Sequence, residues 1–272
     1  MTSRKFVFLR ETSRKSAGEQ FVLGGLMRIH KKVSLLLIFI LSVFLFQSVS
    51  FANSVVESWA LRLERDIGRS NYQSVTAEKT VVCLQKAKER DLQRVFRRLV
   101  NNCKRNKELD FTLTVVRDDT PNAFALPAGY VCINTGLLSM VKNDGELAGI
   151  LGHEMAHIEC NHAMKAIYRA IGFSVAFSLV LNHQRDKWNT REVAGLAGIS
   201  LRLSQLGYSR QAELEADRQG VEIMEKAGYN KQDIVNFWQR FQSQNGDASK
   251  FLPFLSTHPT IDNRIEQIKK LP

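Results

Sequence analysis

Two pairs of residues at a four-residue spacing set the strongest constraint on how this chain can fold: His153 with His157, then Glu213 with Asp217. Residues i and i+4 lie on one face of an α-helix, so each pair forms one surface only if its segment is helical. The first helix is predicted from Glu146 to about Arg169, opened by Asn143-Asp144-Gly145. Leu147, Ile150, Leu151 and Ile158 flank its histidines. Such a helix is buried, and buried imidazoles need polar partners. A polar helix face is the plain alternative, which the apolar flanks weaken.

Two imidazoles at this spacing can reach one metal ion at about 2.0–2.1 Å. Glu154 points aside from their axis yet stays beside the ion, where it can take a proton from a water that the metal activates. A catalytic zinc site also needs a third protein ligand and an open position. Glu213 can be that ligand, and Asp217 can accept the far N–H of one ligand histidine and fix its tautomer. Acidic residues on helices are common, so the Glu213–Asp217 segment is specific only when joined to the first pair. Glu215 faces elsewhere on its helix and reads as a surface charge.

The remaining pattern places these helices in a mainly α fold with a small β-sheet (α+β). From Val55 to about Asn106 the pattern is helical, with Leu92, Val95, Phe96, Leu99 and Val100 on one face. Phe111–Val116 alternates and is rich in β-branched residues, so it reads as a strand. Asn122–Leu126 and Tyr130–Asn134 read as two more, around Pro127-Ala128-Gly129. Val193 to about Lys226 is mostly helical, interrupted near Gly207-Tyr208, and further helices are expected at Lys231–Ser243 and Ile261–Leu271. Ile171–Leu181 is apolar but too short to cross a bilayer, and is expected as a buried or interfacial helix. His162 is expected to serve the C-terminal carbonyls of the motif helix, and His183 to face solvent.

With these motifs in order, the chain resembles the HtpX-like and CAAX-prenyl-protease-like zinc metallopeptidases, a gluzincin group with periplasmic BepA-like members. The resemblance rests on Asn122-Ala-Phe-Ala-Leu-Pro-Ala-Gly129, Asn134-Thr-Gly-Leu-Leu138, Glu146–His157, Tyr208–Asp217 and Ser256-Thr-His-Pro259 with Arg264. It implies a gluzincin-type domain with the HExxH motif on a central helix and one Zn2+ per chain. His153, His157 and Glu213 are the implied ligands, Glu154 the base and Asp217 the acidic residue behind the ligands. His258 and Arg264 match cations near the scissile carbonyl, where positive charge stabilises the oxyanion. Asn122, Ala123, Phe124 and Ala125 match an edge strand on which an extended substrate is laid. Ala128 stands where the family often has Gly. No helical-repeat extension follows Pro272, and the membrane spans of the HtpX and prenyl-protease branches are missing. The expected type is therefore the soluble exported branch without a repeat domain.

The implied activity is endopeptidase action on protein or peptide substrates, outer-membrane or other envelope proteins among them, in envelope quality control. Substrate choice then falls to the domain itself or to a partner or adaptor. The alternative is a chaperone-like or latent protease that binds clients with little turnover, His258 occupying the open metal position.

Charge and leader set the compartment. Residues 1–32 hold eight basic against two acidic residues, so a net +6 of the chain's +11 lies there and a nucleic-acid partner is not expected. Val33–Phe46 is uncharged, and at 1.5 Å per residue it spans only about 21 Å of a ~30 Å hydrocarbon core. With Ser50 and Ala52 after it, this reads as a signal peptide over residues 1–52, translation starting at Met27, and a single domain over 53–272. The expected location is the periplasm, with peripheral membrane contact allowed. Anchoring in the inner membrane by residues 33–52 is the less favoured outcome. Among the four cysteines, Cys83–Cys103 is the pairing to test first, against unpaired buried thiols. N-terminal sequencing of the protein recovered from cells is expected to start at Asn53; a start upstream of residue 33 would mean a retained anchor.

Overall fold

The computed structural model describes residues 57–172, 190–243 and 261–271. The leader, most of the Ile171–Leu181 stretch, His183 and Thr257-His258-Pro259 lie outside the described residues. No helix among the described residues is long and apolar enough to cross a membrane.

The fold is mainly α-helical around a small sheet. Helix α1 covers residues 57–78, α2 covers Lys86–Val100, and a 3-10 turn at Lys104–Lys107 leads to strand β1, Thr112–Val116. Strands β2, Ala123–Leu126, and β3, Tyr130–Asn134, flank a second 3-10 turn at Pro127–Gly129. Helices α3 (Thr135–Met140), α4 (Asp144–Glu159), α5 (His162–Ile171), α6 (Thr190–Leu206), α7 (Arg210–Lys226), α8 (Lys231–Ser243) and α9 (Ile261–Lys270) follow.

The single helical stretch expected from Val55 to Asn106 is divided. Between α1 and α2 the β-branched run Thr80-Val81-Val82 extends, and Val81 bridges Val116 beside β1. The sheet order is β1-β3-β2, with β1 parallel and β2 antiparallel to β3. Its two faces bury different clusters, as the period-2 alternation of a strand dictates. Ala123, Ala125, Val131 and Ile133 join the main core with residues of α2, α4, α7 and α8. Phe124, Leu126, Val116 and Cys132 pack instead with Val75 of α1.

Helix α4 lies at the centre, buried continuously from Gly145 to Ile158. Its start is doubly capped: Asn143 Oδ1 accepts from Glu146 N–H at 2.8 Å, and Glu146 Oε2 accepts from Lys142 N–H at 2.8 Å. Arg240 of α8 clamps the same Glu146 carboxylate through two 2.7 Å hydrogen bonds. The helix stops sooner than the sequence pattern suggests. Glu159 turns its carboxylate to the backbone N–H groups of Lys104 and Arg105, at 2.8 and 2.9 Å, and Asn161 takes a left-handed conformation that Asn tolerates. A new helix then begins at His162.

All four cysteines are free, so Cys83 and Cys103 do not pair. Burial of Cys132 pushes its thiol up to about 12.

Ala128 is buried and left-handed at φ 64, its N–H bound to Glu64 Oε1 at 3.2 Å, and Arg105 fixes that carboxylate through two further hydrogen bonds of 3.0 and 2.7 Å. An L-residue pays for this conformation with a clash that glycine avoids. Ala128→Gly is therefore expected to raise the unfolding free energy by about 1 kcal/mol, less whatever the glycine gains in the unfolded chain. Urea denaturation of the two proteins checks the sign.

Candidate active site

Helices α4 and α7 cross where neither has a side chain. A Cβ built on Gly152 would lie 2.9 Å from Gly220 O, and one on Gly220 would lie 2.8 Å from His153 N. Close backbone approach at these two glycines sets the α7 face carrying Glu213 and Asp217 against the α4 face carrying His153 and His157. Ser209 opens α7 by accepting from Ala212 N–H at 3.3 Å, so Glu213 falls in the first turn of the helix.

The result is a buried tripod. His153 Nε2 and His157 Nε2 are 3.1 Å apart. The Glu213 carboxylate places Oε2 3.4 Å from the first and Oε1 3.5 Å from the second. All three donor atoms lie within 4.8 Å of one another, and all three residues are buried.

Behind His153, Nδ1 lies 3.0 Å from both Asp217 Oδ1 and Arg264 Nη2, and a proton on Nδ1 turned to Asp217 leaves the Nε2 lone pair directed into the tripod. Two converging imidazole nitrogens and a carboxylate form the donor set that zinc prefers. These residues fit the ion.

Arg264 of α9 locks Asp217 in turn. Its Nε lies 3.1 and 2.9 Å from the two carboxylate oxygens, and its Nη2 lies 2.6 Å from Oδ1. The guanidinium lies over the Trp238 ring at 4.9 Å. Arg264 is 1% exposed, and its Nη1 has no hydrogen-bond partner among the described residues.

The electrostatics follow from this packing. Burial works against an ionised Asp217, yet Arg264 and His153 outweigh it and hold the carboxyl well below the usual carboxylate range. Burial and Arg264 pull His153 down, but Asp217 and Glu213 prevail and carry it to about 9. Glu154 is 3% exposed. Burial, with the charges of Glu154 and Glu213, raises the Tyr208 hydroxyl.

Asn122, Ala123, Phe124 and Ala125 lie at and in β2, an edge of the sheet among the described strands. Asn122 O accepts from Asn134 N–H at 2.8 Å, which fixes the alternation of the ladder. Phe124 and Leu126 then bond to β3, whereas Ala123 and Ala125 turn their N–H and C=O groups to the other edge.

Three contacts escape a reading by periodicity. Tyr208 stacks on the His157 ring at 4.4 Å. His162 is buried against His157 instead of capping α4. Glu215, expected as a surface charge, turns toward His162, with Oε2 3.4 Å from its Nε2. The only sequence signal for the last two was a histidine five residues past His157 and a third acid within Glu213–Asp217.

The chain matches the model of peptidase family M48 over residues 86–271. It is 36% identical over 168 residues to the mitochondrial metalloendopeptidase OMA1 of Schizosaccharomyces pombe, covering 60% of this chain and 47% of that protein. Identity to the corresponding Saccharomyces cerevisiae protein is 31% over 233 residues, covering 78% and 65%. A putative beta-barrel assembly-enhancing protease of Vibrio cholerae is 32% identical over 160 residues, covering 57% and 33%. The chain thus spans a third to nearly two thirds of these relatives' lengths.

Gly220→Ala is expected to push α7 off α4, at an overpacking cost of about 1–3 kcal/mol, and to weaken metal binding in the same protein. Gly195→Ala in α6, where a Cβ meets nothing within 4 Å, is the control and should leave metal binding unchanged. Chemical denaturation with metal titration reads both.

Proposed function

The chain belongs to peptidase family M48, and we propose that it is a zinc-dependent endopeptidase that cleaves unfolded or misassembled cell-envelope proteins, with one zinc ion held by His153, His157 and Glu213. The observation that carries this reading is the convergence of those three donors within 4.8 Å on one buried face. Bound there, zinc would lower the pKa of a water toward about 7 and polarise the scissile carbonyl.

The chain's own groups do the rest. Glu154 takes the proton of the attacking water and delivers it to the leaving amine. Asp217 holds His153 in the tautomer whose Nε2 is a ligand. Arg264 secures Asp217 and offers its Nη1 to the oxyanion that develops on the substrate. Among the described residues this N–H has no partner, and a buried donor left so costs about 1–3 kcal/mol, so it gains more from the transition state than one already engaged. His258 is proposed as a second cation there.

The peptide is proposed to add to the sheet along β2. Ala123 and Ala125 supply backbone hydrogen bonds, and their small side chains leave the specificity to pockets beyond the strand. Envelope substrates, a partner or adaptor that selects them, and a periplasmic location are proposals resting on the signal-peptide pattern read over residues 1–52. The similarity to the beta-barrel assembly-enhancing protease of Vibrio cholerae supports them.

Glu154→Gln keeps the metal ligands and removes the base. It is expected to bind one zinc per chain while casein cleavage falls about 10²–10⁴-fold. Wild-type protein that binds no stoichiometric zinc, or a variant that cleaves as well as wild type, would overturn the mechanism. Proteins trapped by this variant in cells are expected to be envelope proteins, and a cytosolic set would overturn the substrate class.

A further inference from the structure

Beside the tripod lies a second cluster of ligating side chains, Cys160, His162 and Glu215, whose donor atoms also fall within 4.8 Å of one another. A contact joins it to the first: His157 Nδ1 and His162 Nδ1 are 2.9 Å apart. On the far side of the His162 ring, Nε2 lies 3.4 Å from Glu215 Oε2.

Proton placement decides what this cluster can do. A neutral imidazole has one N–H and one lone pair. With His157 Nε2 turned to a metal ion, its Nδ1 carries the proton. Two N–H groups cannot face each other at 2.9 Å, so His162 Nδ1 is the acceptor and its own proton sits on Nε2, directed at Glu215. That assignment also argues against a second metal ion, because a protonated Nε2 has no lone pair to share with Cys160 and Glu215.

We infer that His162 and Glu215 are positioning residues, a carboxylate–imidazole relay that fixes the ring and tautomer of the ligand His157. The inference rests on the tripod being the metal site. Each ligand histidine then has its own carboxylate from α7: Asp217 directly for His153, and Glu215 through an interposed imidazole for His157. The break at Cys160-Asn161 serves the same end, since it starts a new helix at His162 and leaves that side chain buried against His157.

The test measures zinc affinity of the full chain by competition with a chelator. Loss of an outer-shell partner is expected to weaken binding about 10–100-fold in His162→Ala. His162→Asn, whose Oδ1 takes the place of Nδ1 as acceptor, should recover most of that loss. Glu215→Leu, at a side chain 38% exposed and so tolerant of change, should weaken binding in the same direction. In cobalt-loaded protein, the visible bands should move in His162→Ala and return in His162→Asn, a response that a packing role would not give.

Affinity unchanged in both His162→Ala and Glu215→Leu, or His162→Asn no better than His162→Ala, would overturn the relay. So would two zinc ions per wild-type chain with one lost in Cys160→Ser. Wild-type protein that binds no zinc would sink the tripod reading and the relay with it, whereas one ion per chain with unaltered variants would sink the relay alone.

Discussion

The backbone contact of α4 and α7 at Gly152 and Gly220 is the constraint on which the site depends. Helices usually pack 8–10 Å apart through side chains. Here two glycines let the backbones meet, which brings a Glu213 carboxylate within 3.5 Å of two imidazoles on another helix. Any side chain at the crossing would act as a spacer. The donor cluster is therefore as much a product of what is missing at two positions as of the three donor side chains.

Around this crossing, three buried carboxylates are each matched by an arginine. Asp217 is held by Arg264 and His153, Glu146 by Arg240, and Glu64 by Arg105 and the Ala128 N–H. A buried charge without a partner is strongly destabilising, and breaking one such pair typically costs about 3–5 kcal/mol. These pairs link elements distant in sequence: α9 to α7, α8 to the start of α4, and the turn before β1 to α1. Arg240 on Glu146 holds the start of α4 and Glu159 on the Lys104 and Arg105 N–H groups holds its end, while its apolar sides fill the core around the two histidines.

Much of the site was legible because its signals are local. The i, i+4 spacings, the apolar flanks of the HExxH segment, the Asn143 cap and the interruption at Gly207-Tyr208 each reflect one helix at a time. The errors share a cause. Apolar periodicity runs on from Ile158 to Met164 and Ile167, so it concealed the break at Asn161, which depends on Glu159 capping a turn distant in sequence. The extension at Thr80-Val81-Val82 likewise needs β1 beside it, and β-branched residues in an otherwise helical stretch were its sole local hint.

From its residues alone the chain determined a donor set: two imidazoles and two carboxylates at helical spacing in apolar surroundings need polar partners, and a metal ion is one that suits them. Tertiary structure decided what each group does in that chemistry. It committed one edge of Arg264, Nε and Nη2, to Asp217, brought Glu215 within 3.4 Å of His162, and stacked Tyr208 on His157. Spacing within a helix fixes only which residues share a face. Which neighbour meets that face, and which nitrogen carries the proton, is set by the approach of a second helix, and that depends on packing across the whole core.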